Sequence, residues 1–322
     1  MTRTMRPFDL NGLRTYDLAS RPSKVGVSDL GRPVAPTTAI GDWLDSLPKQ
    51  LAANELRKLR DHFVRAHRDG RTVAAAIGGH VIKTGCAPYL IDLIERGVID
   101  SISMNGSAAI HDFELALAGK TSEDVGAQLH AGRFGMARET AEAFAVAAER
   151  GSKHDLGLGA ALGQHIADLR CPHADISLVA ACHRAGIPCT VHVALGTDIV
   201  HMHPQVSGAA LGEASMIDFR ILCSVVSTLA HGIWWNIGSA VVMPEVFLKV
   251  VAVVRNFGHD LDGLVTANFD KESKYRSSMN VLRRPGSEGI EVLGHHELLI
   301  PLFHAAVLAK LAASDNGLSQ AA

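Results

Sequence analysis

Long hydrophobic runs are scarce in this chain. The longest apolar stretch, around Ile221 to Ala230, is broken by Cys223, Ser224, Ser227 and Thr228, and it falls short of the roughly 20 apolar residues a membrane span needs. The N-terminal sequence MTRTMRPFDLNGLRTYDL has basic residues but no apolar core of signal-peptide length. No membrane partner is expected. An excess of one charge is missing too, since 31 Lys and Arg face 33 Asp and Glu. No basic run is interleaved with aromatics, so nucleic acid is not implied as a partner either. Cysteine is sparse and odd in number: Cys86, Cys171, Cys182, Cys189 and Cys223. That argues against a disulfide framework and for a reducing, cytoplasmic setting. The G-x-G-x-x-G dinucleotide fingerprint is also absent, as are internal repeats.

Apolar material is plentiful by contrast. Hydrophobic residues make up 47% of the 322 and charged residues 20%, enough for a large core, with a hint of further burial in an oligomer. Residues 1–40 carry Pro7, Pro22, Pro33 and Pro36 with little periodicity, and read as an extended arm. Residues 41–322 are expected to form a single α/β domain. Helical spacing runs from Ile40 to about His67. The small apolar run Thr72–Ile77 ends in Gly78-Gly79, as a strand buried on both faces does. A helix follows at Cys86–Arg96, then a strand at Val98–Met104, then Asn105-Gly106-Ser107 and a helix to Ala118. The alternation resumes with strands near 188–195, 232–237, 263–268 and 290–293, separated mostly by helical stretches. Strands joined in this way imply right-handed crossovers and a doubly wound, mostly parallel, Rossmann-like sheet. Trp234 and Trp235 alternate across one strand, so each face should receive one, as core packing.

In such a sheet, ligands lie beyond the carboxyl ends of the strands. The residues there form a polar, glycine-rich set: Gly78-Gly79-His80 with Lys83-Thr84-Gly85; Asn105-Gly106-Ser107 with His111-Asp112; Gly196-Thr197-Asp198 with His201 and His203; Asn236, Gly238-Ser239 and Glu245; Asn268 and Asp270; and Gly294-His295-His296-Glu297. Glycines there let a backbone approach a pyrophosphate. Lys83 suits either imine formation, if apolar neighbours bury it, or a phosphate contact as a cation. Asp198, His201, His203 and His295 together suit a metal-dependent hydrolase or lyase. A nucleotide sensor without catalysis is a third reading.

Several of these segments resemble the deoxyhypusine synthase family. AAAIGGHVIKTGCAPYLIDLIERGVIDSISMNGSAAIHDFELALAG is similar to its first NAD-binding segment. IPCTVHVALGTDIVHMHP, WWNIGSAVVMPEVFLKVVAVVRN and HHELLIPLFHAAVLA follow in the family's order, over roughly residues 70–312. The resemblance implies a Rossmann-like fold, bound NAD, and a homotetramer with active sites at subunit interfaces. The family's W-G-K lysine segment is absent, and ANFDKESKYRSSMNVLRRP stands in its place. Arg276, Arg283 and Arg284 there suit a substrate carboxylate or phosphate. The expectation is an NAD-dependent transferase or oxidoreductase, acting at a carbon–nitrogen bond of a small amine rather than in deoxyhypusine synthesis. Gly79, Thr84, Gly85, Asn105, Gly106, Ser107, Gly238 and Ser239 are expected to bind the dinucleotide. Asp198 and Glu245 would face the amine, His201 or His295 would move protons, and Lys83 would form a transient imine; no resident metal is assigned.

Overall fold

The structure, a computed structural model, describes residues 5–319, with side chains as far as residue 313. Residues 5–39 are exposed almost throughout and contain only two short 3-10 turns. Two helices then lead in, α1 (Ile40–Ser46) and α2 (Leu51–Arg68). Strand β1 (Val73–Ile77) is followed by α3 (Gly79–Lys83) and α4 (Ala87–Glu95), and β2 (Ser101–Asn105) by α5 (Gly106–Ala118). Helices α6 (Val125–His130), α7 (Arg138–Lys153), α8 (Leu158–Asp168) and α9 (Leu178–Ala185) come before β3 (Cys189–His192). Then follow α10 (Gly208–Val226), β4 (Ile233–Ile237), α11 (Val242–Asn256) and β5 (Val265–Asp270). A π-helix at Ser277–Arg283, β6 (Glu288–Leu293) and α12 (His296–Ser319) complete the order.

The six strands form one sheet in the order β3-β2-β1-β4-β5-β6, every pairing parallel. This is the doubly wound Rossmann arrangement, whose chain reverses its direction of travel between β1 and β4. The strands are near-continuous apolar runs because helices cover both faces. VAAAI of β1 and IWWNI of β4 are buried at every position. Trp234 stacks on Phe247 of α11 at 4.2 Å, while Trp235 on the opposite face meets Phe63 and Phe269 edge-on at 5.3 and 5.2 Å. Such aromatic pairs contribute about 0.5–1.5 kcal/mol each beyond their buried area.

A polar row crosses the α10/α11 face one or two residues before the strand ends. Thr190, Ser103, Ala76, Asn236, Asn268 and Glu291 are cross-strand partners in that order. Thr190 donates to Ser103 (2.8 Å), Asn236 to Asn268 (2.8 Å) and Asn268 to Glu291 (3.3 Å). These bonds satisfy groups that would otherwise be costly to bury. Two buried carboxylates act as caps. Asp112 on α5 accepts from Ser177 and from the first amides of α9, and burial pushes its pKa up to about 6. Asp218 on α10 accepts from Gly159 at the start of α8 (2.9 Å) and from Val191 on the outer edge of β3 (2.8 Å). Burial raises Asp218 to about 7.

Some elements depart from the sequence-based expectation. The helical pattern over 40–67 splits at Leu47-Pro48, because proline lacks the donor needed to continue the helix. Val98 folds its amide back to Leu93 (2.8 Å), so β2 begins three residues late. The short α3, α6 and the π-helix were not expected from periodicity. Helix α12 outdoes the Ile221–Ala230 stretch in apolar length. Its window His296–Ala313 has a mean hydropathy of 1.3, apolar enough to cross a membrane by length and composition. Even so, Ile300, Phe303 and Val307 of this helix lie in the core.

Two outcomes test these contacts. A Cβ at Gly78 would collide with the Gly238 carbonyl, so Gly78→Ala should lower unfolding stability by about 3 kcal/mol in urea titration. Asp218 is raised from 3.8 to about 7, so its contribution is fully present below the unfolded value and is lost as pH rises through the folded one. Stability of the parent should fall between about pH 4 and pH 7. Asp218→Asn, which keeps an acceptor for both amides, should flatten that decline in urea titrations run across the range.

Candidate functional site

At the carboxyl end of the sheet the turns interlock. The Gly78 amide donates to Ile237 (3.0 Å) and the Gly238 amide to Phe269 (2.9 Å), which extends the ladders past the strand ends. Gly238 has φ +61, and a Cβ there would lie 2.7 Å from Cε1 of His296. A Cβ at Gly79 would lie 2.5 Å from Ser107 Oγ, and one at Gly106 would overlap the Asp198 carboxylate. The turns after β1, β2 and β4 and the loop after β3 thus form one continuous crest. Gly79, Gly106 and Gly238 all belong to it.

Beside the crest, under the β1 to β3 half, lies a cavity of about 250 Å³. Its polar wall is Lys83, Ser107, His111, Glu114, Glu123 and Asp198. Asp198 is placed by the loop after β3, against the positive N-terminal end of α5. Its side chain is only 10% exposed, and burial raises its pKa, opposed by His201. The Nδ1 of His201 accepts from the amides of Gly196 (3.0 Å) and Asp198 (3.2 Å). A neutral ring therefore carries its proton on Nε2, which is buried without a hydrogen-bond partner, 3.9 Å from Asp198 Oδ2. His201 reaches the cavity through Asp198.

A second polar chain starts on α5, where His111 and Glu114 are three residues apart on one helix face. Thr121 donates to Glu114, so Nδ1–H of His111 donates to Thr121 Oγ1 (2.7 Å). The other ring nitrogen then keeps its lone pair, and the ring edge lies toward Gly79. Thr140 also donates to Glu114 (3.1 Å). Burial works to raise the Glu114 pKa, but His111 at 3.8 Å and hydrogen bonds from Thr121 and Thr140 outweigh it and hold the carboxyl below its ordinary range. The segment after α5 is pinned over the cavity by the Gly135 amide donating to Glu123 (3.0 Å) and by His203 bonding to the Gly135 carbonyl (2.7 Å).

The sequence-based candidates fall into two groups. Lys83, Ser107 and Asp198 line the cavity, with Lys83 exposed at its rim rather than enclosed by apolar neighbours. Gly79, Gly106 and Gly238 form the crest. The others are engaged elsewhere. Thr84 donates to the His80 carbonyl (2.9 Å) and Gly85, at φ +76, turns the chain into α4. Asn105 caps α5 through the Ala108 amide (2.9 Å), and Ser239 caps α11 by accepting from Met243 (3.2 Å). Glu245 does not line the cavity: it sits on the first turn of α11 and takes Lys249, Arg276 and Asn280 as donors. His295 is exposed beside Glu297 (3.6 Å). Its neighbour His296 is the buried one, under Gly238 and 5.4 Å from the His80 ring, with its pKa lowered by burial.

The four-residue metal constellation does not assemble, because His203 is turned to Gly135 and His295 to Glu297. Among the described residues no three His, Cys, Asp or Glu side chains are grouped to hold a metal ion. His111, Glu114 and Glu123 were not singled out as catalytic from sequence. The signal available was the His111/Glu114 spacing on the helix directly after β2.

No known protein-family profile matches the chain, and no curated protein sequence does. Solved structures are similar in fold. A conserved protein of Methanococcus maripaludis S2, provisionally assigned as LOR/SDH, is 16% identical with a TM-score of 0.51, covering 87% of this chain and 74% of that one. AgrE in ternary complex with ornithine and NAD+ is 12% identical with a TM-score of 0.55, covering 80% of this chain. ArgZ, an arginine dihydrolase from the ornithine-ammonia cycle in cyanobacteria, is 13% identical with a TM-score of 0.51, covering 82%. The chain spans 33% of the length of AgrE and of ArgZ. A protein of Entamoeba histolytica provisionally assigned as a deoxyhypusine synthase reaches a TM-score of 0.47 at 11% identity, and at that score the likeness decides nothing. These similarities establish a doubly wound α/β fold shared with a protein solved with NAD+.

Asp198 offers a direct test of a site held at some cost to the fold. Its raised pKa means that the unfavourable ionised form appears as pH rises through the folded value. Asp198→Asn should therefore stabilise the protein by about 0.5–1 kcal/mol near neutral pH, and by less in acid, in paired denaturation curves.

Proposed function

We propose that the chain is an NAD-dependent enzyme acting on a small amine-bearing substrate, of the class of amino acids with a second cationic group, at a carbon–nitrogen bond. The observation that carries this reading is the pairing of a glycine-built crest at the strand reversal with an adjoining carboxylate-rich cavity. Three carboxylates, Glu114, Glu123 and Asp198, face one lysine there, so the cavity favours a ligand with more positive than negative charge. AgrE, solved with ornithine and NAD+ on a similar fold, and the resemblance to deoxyhypusine synthase both support it.

The crest fits a dinucleotide pyrophosphate. The opening amides of α5 have no intrahelical acceptor. Ala108 is already served by Asn105, which leaves the Gly106 and Ser107 positions to meet a phosphate. A bound nicotinamide would supply hydride acceptance. Lys83 at the rim holds the substrate carboxylate as a cation rather than forming an imine. Asp198 accepts the substrate ammonium, and His201 opposite it steadies the carboxylate charge. The free nitrogen of His111 takes the proton released from the amine, and Thr121 and Glu114 stabilise the resulting imidazolium. Glu245 and His295 have no part in this scheme. A homotetramer in a cytoplasmic setting completes the proposal, supported by five free cysteines and by the exposed apolar residues of the N-terminal arm.

Calorimetric titration with NAD+ should give saturable heat, and a panel of diamino and guanidino acids including ornithine should produce nicotinamide absorbance. His111→Ala should lower kcat/KM by about 10²–10³, and Lys83→Ala should mainly raise KM. Absence of heat with every nicotinamide nucleotide would remove this reading.

A further inference from the structure

The opposite end of the sheet holds a second cavity that the proposed reaction does not use. It measures about 410 Å³ and opens at the amino ends of β1, β4, β5 and β6. Its charged wall comes from four parts of the chain: His62, Arg65 and Asp69 on or just after α2, Arg71 before β1, His231 before β4, and Glu288 at the start of β6. The acid Glu288 is already answered by Lys58 (2.6 Å) and by His62 (3.3 Å). Arg65, Arg71 and His231 have no side-chain acceptor among the described residues. Two guanidinium groups thus face a single unanswered carboxylate, Asp69, and the surplus is positive.

The backbone supplies an independent observation. His231 has φ +59, in the left-handed region that L side chains rarely adopt. Its amide is held by Asp262 (2.9 Å), and its ring lies over Gly263, where any Cβ would overlap Nδ1. A histidine is therefore kept in an unfavourable conformation, over a glycine that makes room for it, without its ring gaining a hydrogen bond among the described residues. Backbone strain of this kind is concentrated at ligand sites. We infer that this cavity is a second ligand site, for a small molecule bearing a phosphate or pyrophosphate group. In it Arg65 and Arg71 contact the oxygens through their paired N–H donors, and His231 donates from its ring.

The probes are inorganic phosphate and pyrophosphate, titrated calorimetrically into the full chain. Three proteins are compared: the parent, the double variant Arg65→Gln/Arg71→Gln, and Lys83→Gln, which alters only the crest side. The expected result is saturable binding at one site per chain, weakened about tenfold or more by the double variant and unchanged by Lys83→Gln. Arg65→Lys/Arg71→Lys should recover less than the full affinity if paired donors matter. His231→Gly separates a site from a packing accident: it should leave the melting temperature unchanged or higher while weakening pyrophosphate binding severalfold. No saturable binding of either probe would overturn the inference. So would binding that survives the double variant, or binding lost only in Lys83→Gln. The titrations are repeated with saturating NAD+ present, so that phosphate taken by the crest is not counted at this site.

Discussion

The approach of β1 to β4 at Gly78 and Gly238 is the constraint on which the rest of this structure depends. Two parallel strands at the point where the winding reverses must lie side by side beyond their last ladder bonds, and no side chain fits between them. Once that contact is made, α3 is drawn against Ser107 and His111, and α5 starts beneath Asp198. Each later turn is then positioned by the one before it. The cavity beside the crest is a consequence of this chain of close contacts.

Burial also explains how the site's charges are kept apart. Asp198 has few donors, so burial dominates over the opposing His201 and its proton is held more tightly. Glu114 is buried too, but Thr121 and Thr140 donate to it and His111 stands 3.8 Å away, so its charge is favoured. Two carboxyl groups lining one cavity therefore have their pKa values moved in opposite directions. Environments that separate like groups in this way allow one to handle protons while another stays charged.

Much of the fold was legible because apolar runs and glycines punctuate the chain at strand ends. VAAAI before Gly78-Gly79 and IWWNI before Gly238 left little choice of element. The placement of Asp198 at the start of α5 could be anticipated only as membership of a strand-end set. Its contact with Gly106 joins residues far apart in sequence. Glu245 misled for a local reason: it follows β4 at the right distance, but Lys249 one turn on and Arg276 from the π-helix region claim its oxygens. The choice between His295 and His296 rested on which side of α12 faces the sheet, and adjacent residues on a helix point in different directions. His111 and Glu114 were hidden because Thr121, which links them, lies in an irregular segment without periodicity.

The polar row beneath the crest has a break at Ala76, the one member without a polar side chain. Hydroxyls and imidazole on the β2–β3 side, and amides with Glu291 on the β4–β6 side, are separate strings of donors and acceptors. No Grotthuss-type relay through these side chains can pass from one half of the sheet to the other. The row is thereby two separate hydrogen-bonded strings on one sheet face.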